Sequence, residues 1–575
     1  MDQIDEVEGS VRPQTWWPPS RFAKIDQMFF ETTLTRKRID ELTAGGHWTD
    51  DYLYDRFVSK VGSRADKPLV IDRHGTLTWG RAADLVEQLS KGLVEMGVRP
   101  SDVVQLQLPN RRHFLLLVLA LERIGAVVNP VAPIFRSNEV AVMSELARPR
   151  VAITAEEFRG FGLAAMHREL AERSPWISDV IVVPDSDSSV ASAAAGGVTT
   201  WDTLLNLGSA SDLTPQTLDL LRPATNDVCE VIFTSGTTGQ PKGVLHTQNT
   251  LNAATDLWLG RIAPDCGVFH MASTLAHQTG YLYGIRAPIT AGGHVVYQDV
   301  WDPAEFAHLI EHHGIEASMG ATPFLADLLA VDGLDNLDLS TFRAFVCAGA
   351  TIPLPVLEQA RDRLPCTVMP GWGMTETGLT TTGRRDDPFD KLKTDGSAVD
   401  GNQVRVVDDN GRPCDTSVEG DLQVRGSEAF VGYVQGRELT EAFWRDGWFD
   451  TGDRAVMDLD GYISISGRTK DIVIRGGENI PVKEVEDVLL RHPNVANVAV
   501  VAKPHERLGE VGCAVIVANG RSPSLAELTT FLDEQHVTRQ FWPEDLVVVD
   551  AFPMTPSGKI QKYRLRDLAE TDATT

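Results

Sequence analysis

No two of the six cysteines (Cys229, Cys266, Cys347, Cys366, Cys414, Cys513) stand in a C-x-x-C pair. Scattered thiols of this kind read as reduced cysteines, not as a disulfide framework or a zinc site. Basic residues are also scarce: 53 Lys and Arg face 80 Asp and Glu, a formal net charge of −27 with a pI near 4.9. A chain this acidic lacks the broad basic face that nucleic acid or an anionic membrane requires, although a local positive pocket for nucleotide phosphates stays open to it. Long hydrophobic runs are missing too. The most apolar, Phe114 to Leu121, stops at Glu122-Arg123, well short of the ~20 residues needed to span a bilayer. The segment Met1-Asp2-Gln3-Ile4-Asp5-Glu6 has no apolar core, so no secretory signal is expected. A soluble cytoplasmic protein without a transmembrane segment is the expectation.

What is present is ordinary globular composition, 42% hydrophobic and 23% charged over 575 residues, enough for more than one domain. Residues 1–50, with Trp16-Trp17-Pro18-Pro19, form an N-terminal extension that can pack on the body. Leu69-Val70-Ile71 and Leu77 bracket a His74-Gly75 turn, which predicts a hairpin, and Thr78 then caps a helix with Ala82, Leu85, Val86, Leu89 and Leu93 at helical spacing. Strands at 103–108 and 126–131 flank a buried helix at 114–124, and further strands are expected at 149–155, 179–184, 293–298, 315–319 and 343–348. This alternation predicts largely parallel α/β layers. Between Asp185 and Gly197 the chain is a Ser/Ala/Gly-rich excursion. From Val404 to about Ile465 short strands and Asp/Gly turns predict a small β-rich unit. Beyond Arg468-Thr469-Lys470-Asp471 a separate small domain is expected. Its helices begin at Pro481 and, capped by Ser522-Pro523, carry Leu525, Leu528 and Leu532. The fold class is therefore α/β: a large N-terminal domain of two α/β layers plus a small β-rich subdomain (51–469), with a smaller α+β C-terminal domain (470–575).

Six stretches carry chemistry. The run Thr234-Ser235-Gly236-Thr237-Thr238-Gly239-Gln240-Pro241-Lys242-Gly243-Val244 follows a strand-like Val228–Phe233. Glycines let backbone N–H groups converge on a ligand, hydroxyls add donors and Lys242 adds a point charge, a composition for phosphate oxygens. It is not a Walker A loop, since Lys242 is followed by Gly243. Gly371-Trp372-Gly373-Met374-Thr375-Glu376-Thr377-Gly378 is spaced G-x-G-x-x-x-x-G and fails the dinucleotide fingerprint. Taken as a Gly-flanked loop, it places one carboxylate beside a hydroxyl, which suits Mg²⁺. Trp448-Phe449-Asp450-Thr451-Gly452-Asp453 and Gly467-Arg468-Thr469-Lys470-Asp471 supply a carboxylate for ribose hydroxyls and an arginine for ribose or phosphate. Gly476-Gly477-Glu478-Asn479 and Pro556-Ser557-Gly558-Lys559-Ile560 complete the series. Each alone is ordinary loop chemistry; their joint order and spacing are specific.

Together they resemble the adenylate-forming superfamily of acyl-CoA synthetases, peptide-synthetase adenylation domains and firefly luciferases, over roughly residues 50 to 570. The resemblance implies that Thr234, Ser235, Gly236, Thr237, Thr238, Gly239 and Lys242 cradle the β- and γ-phosphates of ATP. It implies that Thr375 touches the α-phosphate, Glu376 holds Mg²⁺, and Ala348-Gly349-Ala350 lies along the adenine, with Gly371, Trp372, Gly373 and Met374 in the nucleotide site. Asp453 would take the ribose hydroxyls with Arg468 nearby, and Lys559 would bridge the substrate carboxylate and the phosphate. Lys470 sits at the hinge position. Moving the small domain about it would withdraw Lys559 and bring Gly476 and Gly477 to the site for coenzyme A. Lys559 thus serves the first step, acyl-AMP formation, and not the second, thioester formation.

The stretch Ala276-His277-Gln278-Thr279-Gly280-Tyr281-Leu282-Tyr283-Gly284 matches the place where such enzymes line the acyl pocket, and resembles that of bacterial medium-chain and cyclohexanecarboxylate CoA ligases. His277, Thr279, Gly280 and Trp372 are the expected pocket residues. No aspartate stands in the stretch to pair an α-amino group, which favours a short, medium-chain, alicyclic or aryl acid without an amine. An acid–CoA ligase acting on a small carboxylic acid is the leading expectation, with a homodimer left open as its assembly. An acyl-AMP ligase that transfers to a carrier protein and a catalytically silent nucleotide-binding relative are the alternatives; Lys559, Glu376, Asp453 and Arg468, all in place, weigh against the latter.

Overall fold

Two large sheets are mainly parallel, with antiparallel strands at both edges of one and at one edge of the other. The computed structural model describes residues 30–185, 199–234, 241–349, 352–468, 473–475, 478–480, 482–505, 508–535, 537, 539–554 and 560–571. In the nine-stranded sheet, Thr367–Met374, Ala344–Ala348, Ala317–Gly320, Val268–Met271, His294–Tyr297 and Pro68–Asp72 run parallel as neighbours. The predicted hairpin onto Gly75–Thr78 closes one edge, and Gly378–Thr382 with Ser397–Ala398 closes the other. In the eight-stranded sheet the parallel set is Val228–Thr234, Val127–Pro130, Val103–Gln107, Val151–Ala155, Asp179–Val183 and Thr199–Thr200. Lys242–Thr247 and Gly432–Tyr433 extend it antiparallel. Strands such as Val103–Gln107 and Val151–Ala155 are buried at every position, as expected of parallel strands covered on both faces.

Helix Arg112–Arg123 is buried at every residue after Arg112. That all-round burial is why Phe114–Leu121 reads as a continuous apolar run without a polar stripe. Helix Trp79–Glu95 behaves as expected: the Thr78 hydroxyl accepts from Arg81 N at 3.3 Å, and its buried residues include Ala82, Val86, Leu89 and Leu93. Within the N-terminal extension, Trp48 is buried and donates its ring N–H to Ser427 O at 2.9 Å, so residues 30–50 do pack on the body.

The β-rich unit is a five-stranded antiparallel sheet of Asn402–Val407, Gly420–Gly426, Trp448–Met457, Trp444–Arg445 and Ile463–Arg468. A second five-stranded sheet (Glu478–Ile480, Val473–Arg475, Gly509–Ala518, Val495–His505, Asp545–Val549) forms the C-terminal unit. Its period-two pattern divides two cores. Val498, Val500, Ala514 and Ile516 face helices Val482–Leu489 and Leu525–Glu534, whereas Ala499, Val501, Cys513 and Val515 face helix Lys562–Thr571. One cap differs from expectation. The second of these helices is capped by Ser524, not Ser522. Ser524 Oγ accepts from Glu527 N at 3.3 Å while Ser524 N donates to Glu527 Oε2 at 2.8 Å. This reciprocal pair fixes the start at Leu525, two residues after Pro523.

No disulfide joins the six cysteines, and no helix among the described residues is long and apolar enough to cross a membrane.

Four histidines are buried as neutral rings. Burial lowers His113 and His270 from 6.5 to about 3, and His167 and His246 to about 4. His167 Nε2 lies 2.7 Å from Gln107 Oε1, and His270 lies 2.9 Å from Ser318 Oγ and 3.1 Å from Gln298 Oε1. Below pH 6.5 the unfolded chain binds protons that the folded chain does not, so their contribution is full above 6.5 and lost as pH falls toward 3–4. Urea unfolding measured from pH 7 to pH 4 is expected to show stability falling, with a slope approaching about four protons. A flat profile over that range would contradict the burial of neutral rings.

Candidate active site

The two ends of the Thr/Gly stretch stand on paired strands. Val228–Thr234 pairs antiparallel with Lys242–Thr247, with Thr234 and Lys242 as register partners. A strand before the loop is expected from sequence; the return strand after it is not. Ser235, Gly236, Thr237, Thr238 and Gly239 lie outside the described residues. The Lys242 ammonium stands 3.9 Å from the centre of the Phe443 ring and 5.2 Å from that of Tyr433, an aromatic shelf that attracts a cation. Strand Gly432–Tyr433 seals the hairpin's flank: Val434 N donates to Gly243 O at 2.8 Å, and Gln435 Nε2 to Pro241 O at 2.7 Å.

The second stretch corrects the sequence expectation of a loop over Gly371–Gly378. Strand Thr367–Met374 continues through Gly371, Trp372 and Gly373, and only Thr375, Glu376 and Thr377 turn before Gly378–Thr382 returns. Glycine permits this because a Cβ on Gly373 would stand 2.0 Å from Gly378 O; the two strands approach too closely for any side chain. Three contacts fix the turn. His246 Nε2 lies 2.8 Å from Thr375 O, Phe430 N donates to Glu376 O at 2.7 Å, and the Tyr433 hydroxyl donates to Glu376 Oε1 at 2.8 Å. Since a carbonyl only accepts, His246 carries its proton on Nε2. Burial and the Glu376 carboxylate both raise the Tyr433 hydroxyl, keeping it a donor.

Trp372 is not a pocket wall. It packs with Ile232, Val244, Leu422, Val424 and Phe449, and its ring N–H donates to Asp453 Oδ2 at 2.9 Å. Strand alternation is the reason: Trp372 points to the β-rich sheet. Asp453 is thereby anchored in strand Trp448–Met457, with its N–H on Thr451 Oγ1 at 3.1 Å and its backbone in register with Arg468. Gly280 is a packing glycine, not a lining residue: a Cβ there would stand 2.1 Å from Thr274 O.

One cleft, open to solvent, gathers the rest. Its lining comes from Ser273–Thr274, His277–Thr279 and Leu282–Tyr283, from Met319–Ala321 and Ala348–Gly349, and from Gly373–Thr375 with Gly378–Leu379. His277, Thr279, Gly349, Gly373, Met374 and Thr375 are thus brought together; Gly371 lies in the adjoining strand. Ala350, Lys470, Gly476, Gly477 and Lys559 lie outside the described residues, as does the side chain of Arg468.

Behind the cleft is a polar cluster that sequence reasoning missed. Arg286, fully buried, pairs with fully buried Glu122 at 2.6 Å and donates to Gln248 Oε1 at 2.9 Å and Asn252 Oδ1 at 2.8 Å. Glu230, in the strand leading to the loop, accepts from Gln278 Nε2 at 3.3 Å, and burial raises its carboxyl to about 8. The one visible signal was a glutamate inside the apolar run Val228–Phe233. Charges buried this deeply stand only while paired. Arg286→Met is therefore expected to cost about 3–5 kcal/mol in urea unfolding, and adding Glu122→Leu to restore most of it. No recovery in the double variant would show that the pairing is not what holds this region.

With this geometry in view, the chain belongs to the AMP-binding enzyme family, whose profile matches residues 57–434; that of the AMP-binding enzyme C-terminal domain matches residues 484–559. It is 33% identical to a medium-chain fatty-acid–CoA ligase of Escherichia coli (strain K12), over 95% of this chain and 96% of that protein. It is 31% identical to a salicylyl-CoA synthase / salicylate adenylyltransferase of a Streptomyces species, over 94% and 97%. Among solved structures, an anthranilate CoA ligase in complex with anthranoyl-AMP shares the fold, with a TM-score of 0.81, 22% identity and coverage of 91% and 98%.

Proposed function

We propose that this protein is an AMP-forming acid–CoA ligase: it joins a carboxylic acid to AMP with release of pyrophosphate, then transfers the acyl group to coenzyme A with release of AMP. The observation that carries this is a shared cleft. The stretch read as acyl-lining (His277 to Tyr283) and the stretches read as nucleotide-binding (Ala348–Gly349 and Gly373–Thr375) line one space, as an acid attacking an α-phosphate requires.

The residues fit the groups. Glu376 is a buried carboxylate held by Tyr433, with Thr375 beside it at the cleft edge; an oxygen donor set with room for water suits Mg²⁺. Bound there, Mg²⁺ supplies charge neutralisation on the phosphate oxygens. In the first step the acid's carboxylate oxygen bonds to the α-phosphorus and the bond to the pyrophosphate oxygen breaks. Lys242 and the Thr234 end of the hairpin hold the departing pyrophosphate, Asp453 the ribose, and Lys559 neutralises the two anions that must meet. In the second step the coenzyme A sulfur bonds to the acyl carbon and AMP leaves. Lys559 has no part in it, and the chain divides at 469/470 so that the C-terminal unit can withdraw Lys559 and present Gly476 and Gly477. The acid is a short or medium-chain, alicyclic or aryl one, and the small-molecule acid and coenzyme A are the partners. Six cysteines without a disulfide among them support the cytoplasm as the compartment.

A panel of carboxylic acids screened for pyrophosphate release, with and without coenzyme A, tests this. Release with at least one such acid, and consumption of coenzyme A with AMP formation, are expected. Acyl-AMP formation with no use of coenzyme A would instead indicate transfer to a carrier protein. Lys559→Ala is expected to lower ATP–pyrophosphate exchange by about 10²–10³-fold while sparing thioester formation from supplied acyl-AMP. Equal loss of both half-reactions would refute the division of labour.

A further inference from the structure

We propose that Tyr433 is a positioning residue for acyl-AMP formation: its hydroxyl sets the Glu376 carboxylate for the Mg²⁺ that accompanies ATP, while its ring and that of Phe443 set the Lys242 ammonium. The proposal rests on the ligase reading and adds a residue to it. Glu376 is held at two points by one segment. Phe430 N donates to its backbone oxygen at 2.7 Å, and the Tyr433 hydroxyl donates to its Oε1 at 2.8 Å. A glutamate side chain turns about three bonds; anchored at both ends it keeps few rotamers. Among the described residues Tyr433 is the only hydrogen-bond donor to the carboxylate, so Oε2 keeps its lone pairs for a further ligand. A neutral donor matters here. Lysine or arginine in its place would cancel the carboxylate's charge, whereas a phenol orients the group and leaves that charge for a cation.

Tyr433 is itself immobilised. It is 1% exposed, its backbone N donates to Thr440 Oγ1 at 2.9 Å, and its ring lies 4.8 Å from that of Phe430 and 6.0 Å from that of Phe443. Packing accounts for the ring and not for the hydroxyl. A phenylalanine would fill the same space, and the oxygen is spent on Glu376. The same ring faces Lys242, whose ammonium stands 5.2 Å from its centre and 3.9 Å from that of Phe443, distances at which an aromatic face attracts a cation. One side chain thus carries a carboxylate at its tip and a lysine at its face, the two groups read as serving the metal and the departing phosphates. Removing an outer partner of a metal-binding carboxylate typically costs about 10–100-fold in metal affinity.

The test is calorimetric titration of ATP into the full chain with and without Mg²⁺, read as the ratio of the two dissociation constants. The unaltered chain is expected to bind ATP at least about tenfold more tightly with Mg²⁺, and Tyr433→Phe to bring that ratio to within about threefold of unity. The Mg²⁺ concentration for half-maximal ATP–pyrophosphate exchange should rise at least about tenfold in the same variant. Glu376→Gln should lower the binding ratio equally, and adding Tyr433→Phe to it should move the ratio by no more than about twofold, since the tyrosine acts through the carboxylate. Phe443→Leu, which removes the nearer ring, should weaken ATP by about two- to fivefold with and without Mg²⁺ alike, leaving the ratio unchanged. Because the ratio is internal to each variant, a general loss of stability does not mimic the effect. If Tyr433→Phe fails to fold, Glu376→Asp, which draws the carboxylate back from the hydroxyl and keeps its charge, must lower the ratio as far. Tyr433→Phe with the full ratio, Tyr433→Phe with ATP weakened equally in both conditions, or Phe443→Leu with ATP affinity unchanged overturns the proposal while leaving the ligase reading standing. Glu376→Gln with the full ratio overturns the assignment of Mg²⁺ to Glu376 and the proposal with it. No binding of ATP in either condition overturns the ligase reading as well.

Discussion

The hydrogen bond from the Tyr433 hydroxyl to Glu376 joins three sheets at one buried point. Tyr433 sits on the last strand of the eight-stranded sheet, Glu376 in the turn that ends the parallel set of the nine-stranded sheet, and the Tyr433 ring lies in the apolar cluster of the β-rich sheet. The same tyrosine presents its face toward Lys242 at the end of the Thr/Gly stretch. A carboxylate in a buried turn needs a donor, and a tyrosine kept protonated by burial is a reliable one. Fixing Glu376 this way fixes the height at which the turn stands against the hairpin, and with it the width of the cleft.

A second layer of buried polar groups supports the first. Arg286 and Glu122 tie the π-helical turn to the central helix Arg112–Arg123, while Glu230 and Gln278 tie the cleft wall to the strand that delivers Thr234. Movement of one wall is thereby coupled to the other through short, directional contacts in a low-dielectric interior, where such contacts are strong and their loss is expensive. A cleft so braced holds reacting groups at fixed separation, which is how positioning contributes to rate.

The alternation of apolar runs and turn residues was enough to give both α/β layers, the buried helix and the β-rich unit, because burial on two faces, on all sides or on one face each leaves a distinct period. Caps were legible where a hydroxyl stood alone, as at Thr78, and misread where two serines competed, since only Ser524 has Glu527 three residues on. The strand through Gly371–Met374 was hidden because its glycines suggest a loop; here they mark close strand approach. Likewise Trp372 resembled a wall, but its side of the strand is set by pairing that a linear motif does not contain.

The sequence by itself determined the chemistry on offer: a Thr/Gly/Lys run suited to phosphates, a carboxylate beside a hydroxyl, and a stretch read as acid-lining that holds no aspartate. These are matters of composition and spacing, which survive in one dimension. Only the tertiary structure decided which residues share the cleft, that Met319–Ala321 join them, that Tyr433 and His246 hold the Thr375–Glu376 turn, and that Gln278 and Tyr283 reach the lining. Those facts arise from contacts between segments far apart in the chain and from one π-helical turn. Burial and hydrogen-bond pairing depend on what surrounds a group in space, and no local pattern encodes that.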